Sequence, residues 1–285
     1  IPPSYVKPYL QRQKNDAADA AAIAEAVSRP HMRFVPVKSI AQQSALMLHR
    51  SRELLMKQQT MTINALRGHL AEFGLVSAKG QDGVSRLIAL VEGRDGGGTV
   101  AGADGVDSGC TLDEISRSAL LTLVRQLHHL RAEIKGLDLE ILAWHRDNKV
   151  SKLLESIPGI GLLNASAFAA SLGDGSAFQS GRHLAAWLGL VPRQHSTGGK
   201  SRLGRITKKG DPYLRRLLVL GATSALKPYR KKGRKGPVSG PYPWAGELLE
   251  RKSYRLVTVA LANKMARIIW AVLRSGQPHR RAASI

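Results

Sequence analysis

The chain has 285 residues, and 43 Lys and Arg against 21 Asp and Glu leave a formal net charge of +22. So basic a surface attracts phosphate, which points to nucleic acid; composition alone leaves a generic basic protein of the ribosomal kind as the alternative. Cys110 is the single cysteine, which excludes an intrachain disulfide and a cysteine-built metal cluster. No apolar run reads as long enough to span a bilayer and no leader peptide opens the chain, so the expected location is cytoplasmic, at the nucleoid, with no membrane partner.

The first residues, Ile1-Pro2-Pro3-Ser4-Tyr5, carry no initiating Met and read as the interior of a longer protein. The first helix is expected over 15–28, capped by Asn15 or Asp16 and carried by an alanine-rich run. Residues 31–38 hold two prolines and read as extended. A long helix is expected over 39–73, with Ile63, Leu66, Leu70 and Phe73 on one face and the stripe interrupted by Arg52 and Gln59. Residues 78–110 are glycine-rich and read as a loop or flexible insert, with a short helix around 84–92. Thr111 and Glu114 have capping-box spacing and open a second long helix. Its stripe of Leu120, Leu123, Leu127, Leu130, Ile134, Leu137, Ile141 and Trp144 advances by alternating steps of 3 and 4. Such a seam wants a helical partner, either the 39–73 helix or a second copy in a coiled coil. From Val150 onward short helices alternate with glycine-rich and basic loops, and neither a run of strands nor an internal repeat is evident.

Three places carry residues suited to chemistry on phosphodiesters. Ile157-Pro158-Gly159-Ile160-Gly161 lies between two apolar helices and resembles a helix-hairpin-helix, whose glycines Gly159 and Gly161 would let a phosphate reach backbone N–H groups at a helix start. The alternative is an ordinary helical packing unit. Next, Ser196 and Thr197 precede Gly198-Gly199 in a tight polar loop, followed by a helix begun by Asp211-Pro212. A serine there bonds local backbone or, surrounded by Arg193, Lys200, Arg202 and Arg205, serves as a nucleophile whose alkoxide the cations favour. Ser201 is a rival nucleophile; His195, a sequence neighbour, is not assigned as base because adjacent side chains on an extended segment diverge. Lys208, Lys209 and Arg215 extend the basic face, and residues 227–235 read as a further basic loop. Finally, Asp16 and Asp19 share a helix face at i and i+3. Such a pair suits Mg²⁺, although a cap and a solvated acid are the simpler reading. A last helix is expected over 254–273, with Leu261, Met265, Ile268, Ile269 and Val272 packing and Lys264 and Arg267 elsewhere.

The order of KNDAADA, IPGIG, GLVPRQHSTGGK, LGRITKKGD and ALANKMARIIWAVL resembles the DEDD-type insertion-sequence transposases related to the Piv and MooV DNA invertases. The resemblance covers nearly the whole chain. It implies a mainly α chain with the C-terminal remnant of a RuvC-like α/β domain over 1–38. A long-helix coiled-coil region follows over 39–148, and a helical transposase domain over 149–285 contains the helix-hairpin-helix and the catalytic serine. Asp16 and Asp19 match the last two of the family's four acidic metal ligands, and Ser196 matches its serine. The resemblance further implies Mg²⁺, donor and target double-stranded DNA, a structured guide RNA encoded by the element, and a dimer or tetramer joined through the coiled coil. The family's first Asp and its Glu lie upstream of KNDAADA, so the chain as given is expected to be inactive alone. A non-catalytic nucleic-acid-binding remnant and a RuvC-like nuclease with an incidental serine are the competing readings.

Overall fold

Among the described residues, side-chain caps mark the starts of six helices. The computed structural model describes residues 1, 3–10, 15–30, 32, 34, 36–94, 112–230 and 240–279. Helix α1 (Pro3–Val6) and a 3-10 turn at Lys7–Tyr9 precede α2 (Asp16–Val27), where the Asn15 side chain accepts the Ala18 N–H at 2.6 Å. Helix α3 (Ile40–Glu72) starts with a full capping box: the Ser39 hydroxyl accepts the Gln42 N–H while the Gln42 side chain accepts the Ser39 N–H. Helix α4 (Gln81–Val91) sits within the glycine-rich stretch, and the expected insert over 95–110 lies outside the described residues.

Helix α5 (Glu114–Asp147) runs antiparallel to α3. Leu66 and Leu70 of α3, Val84, Leu87 and Val91 of α4, and Leu120, Val124 and Leu127 of α5 form one buried cluster at the far end of this pair. Each fully buried Leu there contributes roughly 1.5–3 kcal/mol. Arg52, which breaks the apolar stripe of α3, faces α5 and donates from Nε to Asp138 Oδ1 at 2.5 Å. Two expectations for α5 need correction. Thr111 lies outside the described residues, and it is Asp113 that caps the helix by accepting the Ser116 N–H at 3.2 Å. The buried face also passes through Val124 and His145, with Leu123, Leu137 and Trp144 only partly buried. A straight helix has 3.6 residues per turn, so a strict seven-residue repeat drifts around it and different residues face the partner at each end.

The chain then turns into a second, larger core. Helices α6 (Lys149–Glu155), α7 (Leu162–Leu172), α8 (Gly181–Trp187), α9 (Pro212–Ala225), α10 (Pro243–Arg251) and α11 (Tyr254–Ser275) bury Phe168, Leu184, Leu188, Leu214, Leu218, Leu261, Met265 and Ile269 together. Helix α11 is its axis, packed on α8 and α9. By length and composition α11 would also qualify to cross a membrane, with a mean hydropathy of 1.6, which corrects the expectation that no such run exists. Here its apolar residues Val257, Leu261, Met265, Ile269 and Val272 are covered by protein.

Polar joints tie the long helices to this core. Buried His49 of α3 lies 2.9 Å from the Tyr213 hydroxyl on α9 and 3.1 Å from Ser166 Oγ on α7. Burial and the Arg52 charge lower its pKa to about 4, so the ring is neutral. A neutral ring accepts on one nitrogen and donates from the other. Tyr213 therefore donates to Nδ1, and Nε2–H donates to Ser166, whose own hydroxyl donates to the Leu162 carbonyl at 2.7 Å. At the α5–α6 bend, His145 bonds both Ser151 Oγ at 2.6 Å and Glu155 Oε2 at 3.0 Å.

Candidate active site and nucleic-acid interface

Ser196 stands on a β-hairpin, where the sequence alone predicts a tight polar loop. Strands β1 (Pro192–Gln194) and β2 (Leu203–Ile206) pair antiparallel, with Pro192 opposite Ile206 and Gln194 opposite Leu203 across a register irregularity. Thr197 bridges to Lys200 at the tip, and Gly198 and Gly199 between them both have positive φ. That is the backbone a two-residue hairpin turn requires, and it explains the Gly-Gly pair. The signal was present in Thr197-Gly198-Gly199-Lys200, but the flanking residues lack the apolar alternation that marks a strand. They lack it because the ribbon buries nothing: residues 192–205 are all exposed.

The foot of the hairpin is firmly held. Thr207 N–H donates to the Val191 carbonyl at 2.9 Å and Lys208 N–H to the Gly189 carbonyl at 3.1 Å. Asn263 of α11 donates to the Leu190 carbonyl at 3.1 Å. Arg215 Nη1 donates to the carbonyls of Leu188 at 3.0 Å and Lys209 at 3.1 Å. Arg215, expected on the nucleic-acid face, thus clamps the two sides of the hairpin foot. Lys208 carries a φ of 55°, the one positive value at a non-glycine among the described residues. Strained backbone of this kind gathers at functional sites.

Within the hairpin, Ser196 Oγ accepts the Arg202 N–H at 3.2 Å, and the His195 N–H donates to the Arg202 carbonyl at 2.8 Å. A backbone N–H aimed at a serine oxygen favours its ionised form. Arg193, Lys200, Arg202 and Arg205 project from the same exposed ribbon, and Lys208 and Lys209 follow at its foot. Arg193 also reaches the Thr207 carbonyl at 3.4 Å. The His195 ring lies beside Gly204, where an added Cβ would come within 3.7 Å of it.

Asp16 and Asp19 occupy the first turn of α2, the former exposed and the latter partly buried. Among the described residues no cluster of three or more His, Cys, Asp or Glu is suited to a metal ion. Two carboxylates on one face match what Mg²⁺ takes from a protein when water and phosphate complete its shell. Asp16 and Asp19 are of the residue type for two such ligands.

Gly159 and Gly161 lie between α6 and α7, and they differ in surroundings. Gly159 has φ +88°, and a Cβ there would sit 2.7 Å from the Gly221 carbonyl oxygen and 3.1 Å from Met265 Cε. Its lack of a side chain serves close contact with α9 and α11. Gly161, at the N-terminus of α7, is exposed, and a Cβ would meet nothing within 4 Å. The basic segment expected over 227–235 is described only through Arg230, where Lys227–Arg230 form a 3-10 turn.

A family model for transposases of the DEDD IS110 type matches residues 2–74, and one described as the IS116/IS110/IS902 transposase family matches residues 151–235. The chain is 44% identical over 282 residues to the y4pF/y4sB protein of Sinorhizobium fredii, named as a transposase, covering 99% of this chain and 68% of that protein. It is 38% identical over 280 residues to the transposase for insertion sequence element IS1111A of Coxiella burnetii, covering 98% and 72%. A shorter match, 31% identical over 137 residues and covering 46% and 39%, is to the pilin gene-inverting protein of Moraxella bovis. Identity at this level along nearly the whole chain places it in the IS110/IS116 family of transposases, with a relation to the pilin gene invertases.

Proposed function

We propose that this transposase cuts and rejoins DNA with Ser196 as nucleophile. The observation that carries the reading is the exposed, cation-rich ribbon that presents Ser196 with a backbone N–H on its Oγ. A convex site suits a macromolecule, and a two-stranded ribbon has the dimensions to enter a DNA major groove. The Ser196 oxygen attacks a backbone phosphorus. An O–P bond to the protein forms, the bond to one DNA oxygen breaks, and that oxygen leaves as a hydroxyl with the proton released from serine. A hydroxyl of the second strand then attacks the same phosphorus and expels Ser196. One ester is exchanged for another at each step, so the rejoining needs no external energy source. Arg193, Lys200, Arg202 and Arg205 stabilise charge on the transferring phosphoryl group.

Asp16 and Asp19 are the ligands this chain offers to Mg²⁺, which when bound neutralises charge on phosphate oxygens. The exposed N-terminus of α7 at Gly161 holds a backbone phosphate, and Lys208 and Lys209 bind further along the strand. In keeping with the family resemblance, α2 closes a RuvC-like domain, a structured RNA from the element selects donor and target DNA, and copies assemble through the long α3–α5 helices. For that assembly, α3 offers Ile40, Met47, Leu54 and Met61, which remain exposed at seven-residue intervals.

Trapping tests the nucleophile. A chain extended to the length of its relatives, given element RNA and both DNAs, is expected to form a protease-resistant protein–DNA adduct that Ser196→Ala abolishes. An adduct that persists in Ser196→Ala refutes the assignment, and one that is lost in Ser201→Ala alone transfers it to Ser201. If recombination is unchanged in Asp16→Ala and Asp19→Ala at every Mg²⁺ concentration, the metal assignment fails.

A further inference from the structure

A cavity of about 550 Å³ opens where the start of α3, the α7–α8 connection and the start of α9 meet. It adjoins the hairpin foot: Trp187 leads into the stem, Asp211 follows it, and both line the cavity. Five aromatic rings, Tyr5, Phe34, Phe178, Trp187 and Tyr213, contribute to the wall. Phe178 and Trp187 meet edge to face with centroids 5.4 Å apart. Tyr213 is held by its hydrogen bond to His49 and by Arg216 over its ring. Phe34 lines the cavity and is 60% exposed.

The charges of the wall are unequally engaged. Among its acids, Glu53 accepts from Arg216 at 2.7 Å, Asp211 caps α9, and Asp174 accepts from Ser176. Its cations Lys38 and Arg50 enter no ion pair among the described residues. A concave apolar site with aromatic walls and uncommitted positive charge fits a flat ring system bearing a phosphate. The volume lies within the roughly 300–1,000 Å³ of small-ligand sites, enough for one nucleotide and too narrow for a duplex.

We propose that this cavity receives a single unpaired nucleobase of the bound nucleic acid, stacked among Phe34, Trp187 and Tyr213, with its flanking phosphate held by Lys38 and Arg50. The proposal rests on the reading that the chain binds nucleic acid at the hairpin. It adds a second contact, selective for a base that has left the helix. Stacking on protein aromatics is sequence-tolerant, so the site would sense an unpaired position rather than a particular base.

The test titrates the chain with labelled duplexes of one length that are fully paired, carry one unpaired nucleotide, or carry an abasic residue at that position. Each is made as DNA and as RNA. The base-bearing bulge is expected to bind about tenfold more tightly than the paired duplex and the abasic bulge, in whichever nucleic acid supplies the base. Ala177, exposed on the cavity wall, gives a filling variant. Ala177→Trp should erase the preference and leave affinity for paired duplex unchanged, with circular dichroism confirming the fold. Arg50→Glu should weaken the preference independently. A 5-iodouracil at the unpaired position should cross-link to Phe34, Trp187 or Tyr213. Equal affinity for base-bearing and abasic bulges, or cross-links confined to residues 192–206, overturns the proposal while leaving hairpin binding intact. Failure to bind even the paired duplex would remove the hairpin reading and the cavity proposal with it.

Discussion

Gly159→Ala separates packing from phosphate binding at the IPGIG turn. The residue has φ +88°, and an added Cβ would lie 2.7 Å from the Gly221 carbonyl oxygen, 3.1 Å from Ala225 Cβ and 3.1 Å from Met265 Cε. Left-handed backbone costs an alanine about 1–2 kcal/mol. Forcing a methyl against a helix backbone in a filled core costs about 1–3 kcal/mol more. The expected loss is roughly 2–5 kcal/mol, which for a chain of this size lowers Tm by about 4–20 °C. Gly161→Ala is the control, because nothing lies within 4 Å of its added Cβ and φ is −94°. Only the weaker helix-capping tendency of alanine remains there, about 0.5–1 kcal/mol. Thermal and urea unfolding followed at the helical circular-dichroism band give both values. A Gly159→Ala midpoint within about 2 °C of the parent, or a larger loss in Gly161→Ala, refutes the packing argument. Nucleic-acid affinity should respond in the opposite order: Gly161→Phe, whose Cβ meets nothing within 4 Å, should bind more weakly. If its affinity is unchanged while circular dichroism shows the parent fold, the phosphate role of that turn is lost.

Other positions give equally direct outcomes. Arg215→Ala leaves the carbonyls of Leu188 and Lys209 without their donor and should cost about 1–3 kcal/mol; an unchanged unfolding midpoint refutes the clamp. Arg205→Ala, exposed on β2, should leave stability unaltered and reduce the slope of log affinity against log salt by about 1. A slope equal to that of the parent removes Arg205 from the phosphate contacts. Ser196→Ala loses one exposed hydrogen bond from the Arg202 N–H, so its stability should stay within about 1 kcal/mol of the parent while the DNA adduct disappears. For His49, burial lowers the pKa from 6.5 to about 4. Between these values the unfolded chain takes up a proton that the buried ring refuses, so stability should fall as pH drops through this window, by a total on the order of 3 kcal/mol. His49→Gln should lose that part of the pH dependence, and an identical slope in the two proteins refutes it.

Helix ends and the family motifs were legible because they depend on neighbours in the chain. Asn15 before α2, Ser39 with Gln42 before α3, and Asp211-Pro212 before α9 satisfy backbone groups two or three residues away, so local sequence is enough to place them. The α5 stripe showed that a partner helix was needed. Which face it turns, and that Arg52 answers Asp138, depended on residues of α3 brought alongside across 86 positions. Ser196 could be singled out from its cationic neighbours and the resemblance, but the hairpin hid as a loop because an exposed ribbon has no apolar alternation to betray it.

The sequence by itself determined a basic, mainly helical transposase chain, its principal helix boundaries, and the residues worth testing as its chemistry. Tertiary structure alone decided their tasks. Gly159 and Gly161 share a motif, yet one is pressed against Gly221 and the other is open. Arg215 and Arg205 share a basic stretch, yet one clamps carbonyls up to 27 residues away and the other stands on the exposed ribbon. The aromatic cavity beside the hairpin draws Phe34, Trp187 and Tyr213 from three separate parts of the chain. Propensity and capping act over a few residues, whereas burial, close approach and shared cavities are created only when distant segments meet.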